Sequence, residues 1–168
     1  IWEVSKREGN FIPHLCHSDK SGYKADGNCR SCVVEIKGER TLAASCIRKP
    51  FNGMEVITNN DKVEKSQKLV LELLLSDQPV KEKSHNKNSY FWKILETKKI
   101  SKTRFPKKDT KTIPELDKSH PAMTVALDSC IQCGLCIRAC RDVQVNDVLG
   151  MAGRGANSYP VFAFDDLM

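Results

Sequence analysis

The chain has 168 residues, of which 40% are apolar and 29% charged, with eight cysteines and a net charge of +6. These values fit one large domain or two small ones and exclude collagen, a coiled coil and full disorder. The longest apolar run, Leu69–Leu75, is interrupted by Glu72 and falls far short of the roughly 18 residues of a membrane span.

The predicted elements follow in chain order. Residues 1–10 read as a short helix with Ile1, Val4 and Trp2 on one face, ended by Gly9-Asn10. Residues 11–32 are loop. Val33–Lys37 and Arg40–Ala44 form a hairpin around Gly38-Glu39, and Met54–Thr58 is a third strand after the Pro50–Gly53 turn. Asn60 caps a helix over Asp61–Leu75 whose apolar stripe is Val63, Leu69, Val70, Leu73 and Leu74.

Beyond Pro79 the composition changes. Residues 1–78 carry 12 basic and 11 acidic side chains, residues 79–118 carry 12 and 5, and residues 119–168 carry 3 and 5. Nearly all the cations of the middle stretch are lysines, which solvate well and recognise phosphate poorly in bidentate fashion. We therefore expect three parts: a folded unit over 1–78, a basic linker over 79–118 holding one helix at Ser89–Glu96, and a second unit over 119–168. That last unit has a strand at Met123–Leu127, a cysteine loop running into a helix to about Val143, a turn at Gly150–Gly155 and a strand at Val161–Phe164.

All eight cysteines fall into two groups of four: Cys16-x12-Cys29-x2-Cys32-x13-Cys46 and Cys130-x2-Cys133-x2-Cys136-x3-Cys140. Disulfides need an oxidising compartment, and no charged-then-apolar leader opens the chain, so the expected location is cytoplasmic. Zinc suits the first group taken alone and the second poorly, because zinc knuckles are two separated Cys-x2-Cys pairs. A zinc-bound nucleic-acid-binding module using the basic stretch is the alternative from another class. The run C-x2-C-x2-C-x3-C is the bacterial-ferredoxin pattern for a 4Fe-4S cluster, in which the fourth cysteine ligates a second cluster. On that reading Cys130, Cys133 and Cys136 hold one 4Fe-4S cluster, its fourth ligand lying beyond Met168, and Cys140 reaches the next. Cys16, Cys29, Cys32 and Cys46 can surround a 2Fe-2S cluster, with Gly22 and Gly27 letting the loop fold tightly. His14, His17, His85 and His120 are read as non-ligands.

The segment IPHLCHSDKSGYKADGNCRSCVVEIKGERTLAASCIRKP resembles the N-terminal 2Fe-2S domain of the NAD-dependent, molybdenum- or tungsten-containing formate dehydrogenase α subunit. The complex I large iron–sulfur subunit and hydrogenase diaphorase subunits open with a related domain. SHPAMTVALDSCIQCGLCIRACRDVQVNDVLGMAGRG is similar to the first ferredoxin segment of formate dehydrogenase α subunits. The resemblance implies an α+β fold: a truncated β-grasp 2Fe-2S ferredoxin-like domain lacking its N-terminal hairpin, the Lys-rich linker, and a partial bacterial-ferredoxin-like 4Fe-4S domain. It implies the ligand sets just given, no catalytic residues, and an internal segment of a longer oxidoreductase subunit. Formate would be oxidised at a bis-pterin guanine dinucleotide site of molybdenum or tungsten in a downstream domain of the same chain. The implied partners are that domain and flavin- and NAD-binding diaphorase subunits, with no nucleic acid and no membrane span. A His-plus-three-Cys cluster set found in complex I is not matched, since no cysteine lies between Cys46 and Cys130. An NAD-reducing hydrogenase or complex I-like subunit is thus the alternative.

Overall fold

The computed structural model describes residues 1–107, 116–118 and 121–162. Pro114, His120 and the end of the last predicted strand at 163–164 lie outside the described residues.

Helix α1 (Trp2–Arg7) buries Trp2 and Ser5. The Trp2 indole N–H donates to the Ile12 carbonyl at 3.2 Å, so the large ring is buried with its polar handle satisfied. Val4, expected on the same face, is 39% exposed: on so short a helix the inner stripe runs through Trp2 and Ser5, three residues apart.

Three antiparallel strands come next: β1 (Val33–Ile36), β2 (Ala43–Ala44) and β3 (Val56–Ile57), in spatial order β2-β1-β3. Val33 and Val34 pair with Ala44 and Ala43, whereas Glu35 and Ile36 pair with Ile57 and Val56. Each half of β1 thus has its own partner, and the outer strands are shorter than the sequence predicts. The Gly38 turn forms as expected, with a positive φ at the glycine and the Glu39 N–H donating to the Ile36 carbonyl.

Helix α2 (Asp61–Ser76) starts where its cap predicts: the Asn60 side chain accepts from the Val63 N–H at 2.9 Å. Its inner face differs from the predicted stripe. Val63, Gln67, Leu71, Glu72 and Ser76 are buried, while Leu73 is 53% exposed. The polar members are buried because they have partners. Gln67 donates to the Val33 carbonyl at 2.9 Å, Ser76 to the Leu73 carbonyl at 2.6 Å, and Glu72 accepts two hydrogen bonds from Arg104.

The helix predicted within the basic stretch is α3 (Tyr90–Thr97). It is a core element, not part of a solvated tether. Phe91, Trp92, Ile94 and Leu95 are buried against Leu15 and Leu71, with Cys29 and Ile131 packed on the same cluster. Composition hides this because Lys93 and Lys99 are exposed, while the cations nearer the core are paired, Lys98 with Glu64 at 3.0 Å and Lys81 with Glu96. A second cluster, formed by Trp2, Ile12, Cys32, Val34 and Ala44, lies on the sheet, with Cys46 and Val56 at its edge.

Among the described residues no strand forms at 123–127. Val125 makes an isolated bridge to Asp117 through two backbone hydrogen bonds of 2.9 Å each, and Leu127–Ser129 is a 3₁₀ turn. Helix α4 (Leu135–Arg138) continues into a π turn over Ala139–Val143, in line with the predicted end. Strands β4 (Leu149–Ala152) and β5 (Tyr159–Phe162) form an antiparallel ribbon. The glycine-rich stretch, expected as a turn, is therefore strand as far as Ala152. The reversal comes at Gly153, where a Cβ would meet the Asn157 carbonyl oxygen at 2.1 Å.

Candidate metal centre

The first four cysteines come together between the two hydrophobic clusters. Cys16 leaves the loop after α1, Cys29 and Cys32 precede the start of β1, and Cys46 lies just past β2. The polypeptide reaches this shape at some cost in backbone freedom: Arg30, between two of the cysteines, has φ +57°, a region non-glycine residues rarely occupy. Gly27 is buried at φ +66°, and a Cβ there would meet the Ile47 side chain at 2.7 Å. The Cys16 N–H points to the Cys29 sulfur at 3.4 Å, and the Ser31 hydroxyl lies 3.2 Å from the same sulfur. Ser45 donates to the Cys32 carbonyl at 2.8 Å, locking β2 beside the second of the pair.

The four thiols lie close enough to perturb one another's ionisation. Hydrogen bonds from Cys29 and Cys46 hold the Cys16 thiol well below the usual thiol range, and Cys46 does the same for Cys32. The donors move the other way: Cys29 is raised by its bond to Cys16 and by burial, and Cys46 by its bonds to Cys16 and Cys32. The thiolate is the metal-binding form of cysteine. Among the described residues no three His, Cys, Asp or Glu side chains are arranged around a single metal ion. Four cysteines brought together on loops are the donor set that a 2Fe-2S cluster would take.

His17 adds a second observation. It is buried, it packs edge-on against Trp2 at 4.6 Å, and among the described residues neither ring nitrogen has a hydrogen-bond partner. Such an orphan costs about 1–3 kcal/mol. A sulfur-rich group held beside its neighbour Cys16 would offer the missing acceptor. The donor set and this orphan both fit an iron–sulfur cluster.

In the second group, Cys130, Cys133 and Cys136 lie close enough for their charges to interact, while burial, above all, pushes the Cys133 thiol up. Gln132 has φ +52° and its N–H donates to the Cys130 sulfur at 3.3 Å. Gly134 caps α4 in the left-handed conformation. Cys140 is buried and its sulfur accepts from the Val148 N–H at 3.4 Å. No disulfide joins any of the eight cysteines.

What spacing does not reveal is that the two groups are neighbours. Arg138, which lies two residues past Cys136, donates to the Cys16 carbonyl and, at 3.2 Å, to the Cys133 carbonyl. Gln78, just past the end of α2, donates to the Cys130 carbonyl at 3.2 Å. Neither residue carries a motif. The one sequence signal for Arg138 is a lone arginine within a thiol-rich run.

Residues 1–61 match the family of 2Fe-2S iron-sulfur cluster binding domains. The helix and three antiparallel strands of that stretch agree with such a ferredoxin-like domain. Over 92% of its length this chain is 29% identical to the NADH-ubiquinone oxidoreductase 78 kDa subunit, mitochondrial, of Candida albicans. It is likewise 29% identical, over 92% of its length, to the NADH-quinone oxidoreductase G subunit of Rickettsia typhi. The chain spans only 22% and 23% of the length of these relatives. Among solved structures, a chain of the NAD+-reducing [NiFe]-hydrogenase in its H2-reduced state superposes with a TM-score of 0.82 and 25% identity, covering 96% of this chain and 67% of the other. The chain thus joins a stretch that matches 2Fe-2S domains to a wider similarity with subunits of NADH dehydrogenases and an NAD+-reducing hydrogenase. Among the described residues no helix is long and apolar enough to cross a membrane.

Proposed function

We propose that this chain is an electron relay of an NAD-linked oxidoreductase, in which Cys16, Cys29, Cys32 and Cys46 hold a 2Fe-2S cluster. The observation that carries this reading is the gathering of the four cysteines between two hydrophobic clusters, with Cys29 packed on one, Cys32 and Cys46 on the other, and the Cys16 N–H directed at the Cys29 sulfur. Iron–sulfur clusters supply one-electron redox change without group transfer. The chain's own residues then have three tasks. The thiolates anchor iron. The two hydrophobic clusters keep Cys16 and Cys32 out of water. The Ser31 hydroxyl and nearby backbone N–H groups hydrogen-bond to sulfur, which tunes reduction potential.

Cys130, Cys133 and Cys136 would hold a 4Fe-4S cluster, with Cys140 serving a further one, as the ferredoxin-type spacing asks. For the parent enzyme we favour the α subunit of an NAD-dependent formate dehydrogenase. The stretch CIQCGLCIRACRDVQVNDVLGMAGRG supports it, as does the lack of a cysteine between Cys46 and Cys130. The catalytic pterin metal would then reside in a downstream domain and the flavin in a partner subunit. The similarity to the NADH-quinone oxidoreductase G subunit and to the hydrogenase chain supports the second reading, an iron–sulfur subunit of one of those complexes.

The test is anaerobic purification of the full-length subunit in its complex, then iron and sulfide analysis and low-temperature EPR. A 2Fe-2S signal that disappears in Cys29→Ser and survives in Cys133→Ser is the expected result. A colourless zinc protein without a signal would overturn the relay. Reduction of the centres by formate, with none by hydrogen, is expected for the favoured parent; the reverse selects the hydrogenase.

A further inference from the structure

We infer that Arg138 is a positioning residue that joins the two cysteine sites, fixing their separation and presenting one positive charge to both. The inference rests on reading both cysteine groups as cluster ligands.

Arg138 is 2% exposed. Burying a guanidinium is expensive unless its donors are met, and here each of its nitrogens has an acceptor. Nε faces the Asp26 carboxylate at 3.0 Å and the Gly134 carbonyl at 3.4 Å. Nη1 donates to the Lys24 carbonyl at 2.5 Å. Nη2 donates to both the Cys16 carbonyl and the Cys133 carbonyl. One nitrogen therefore ties a cysteine of the first group to a cysteine of the second, across more than a hundred residues of sequence. The other acceptors lie on the same two loops, residues 16–26 and 133–134.

A purely structural clasp between two loops needs no buried charge. Apolar packing would do as well, and often better. The guanidinium's rigid fork reaches both loops at once, and its charge lies against the main chain of one cysteine from each group. A reduced centre carries one more negative charge than an oxidised one, so the guanidinium favours the reduced form of each. Cluster potentials respond to net charge and burial of this kind. With both centres loaded, an electron passing from one to the other would require no bond made and no proton moved at Arg138. Asp26, the only carboxylate paired with it among the described residues, partly offsets that charge.

The experiment is an EPR-monitored redox titration of the full-length subunit in its complex, with iron and sulfide measured on every sample. In Arg138→Met, with iron content intact, the oxidised-to-reduced ratio of the 2Fe-2S centre at fixed potential should rise about tenfold, a fall of about 59 mV for one electron. The second centre should fall with it. Arg138→Lys keeps the charge and loses the fork. It should restore the potentials while the magnetic broadening between the two reduced centres changes. Asp26→Asn, on a half-exposed side chain, should move both potentials the opposite way, by roughly threefold in the same ratio. Should Arg138→Met fail to assemble, Asp26→Asn decides. Unchanged potentials in the assembled Met variant, or in Asp26→Asn, would overturn the inference. Missing iron in the unsubstituted protein would instead defeat the cluster reading on which it stands.

Discussion

In the first cysteine region the thiol-bearing loops are enclosed between two hydrophobic clusters; in the second they lie beside a short ribbon and are held by polar clasps. Cys16 and Cys32 are 0% and 1% exposed, whereas Cys136 is exposed. The first region has a sheet, a capped sixteen-residue helix and the buried face of α3 behind it. The second has a four-residue helix, a π turn and a two-stranded ribbon, and two-stranded ribbons are marginal on their own. Its attachment runs through Arg138, Gln78 and the packing of Ile131 against the α3 core. The lesson is that the first site is shaped by the polypeptide, while the second is shaped by docking and by whatever its thiols hold.

The contrast is largest at the core. Leu71→Ala, at a fully buried position, should cost about 2–5 kcal/mol in urea unfolding of the full-length subunit. Met151→Ala, half exposed on β4, should cost less than about 0.5 kcal/mol. Equal costs would erase the distinction between the regions. Iron chelation separates them next. Amide hydrogen exchange over residues 130–148 should quicken about a hundredfold, because metal binding and local folding are linked. Amides of α2 and α3 should change far less. A smaller effect is expected at the helix cap: Asn60→Ala removes the acceptor for the Val63 N–H and should cost about 1 kcal/mol, read from the same urea curves.

The smallest effect is a pH dependence of the first region. Hydrogen bonds from Arg104 hold the Glu72 carboxyl below the usual carboxylate range, and those from Lys98, then Lys68, do the same for Glu64. A lowered folded-state pKa stabilises the fold above the unfolded carboxylate pKa, about 4.3. That stability is lost as pH falls through the folded value. Arg104→Met should therefore lower the unfolding midpoint at pH 7 and make no difference at pH 2. A gap that persists in acid would assign the contribution of Arg104 to packing.

Local features were legible because short-range chemistry decides them. The Asn60 cap, the Gly38 turn and the ends of α3 follow from the residues at those positions. The inner face of α2 was not legible, since Gln67 and Ser76 are buried for their bonds to main-chain carbonyls, which hydrophobic spacing does not register. The burial of α3 was hidden by the lysines around it. The strand expected at 123–127 has, among the described residues, no strand partner beyond the single Asp117 bridge, and a strand without a neighbour does not form.

The order of residues alone marked the thiol groups: eight cysteines in two groups of four, at spacings that confine each group to its own stretch of chain. Chain connectivity within a loop is enough for that. Folding in three dimensions was needed to make these groups neighbours, to close the core behind Cys29 with α3, and to stretch Arg138 between Cys16 and Cys133. Those contacts join residues far apart along the chain, and packing and hydrogen-bond satisfaction in the folded state select them, not any local pattern.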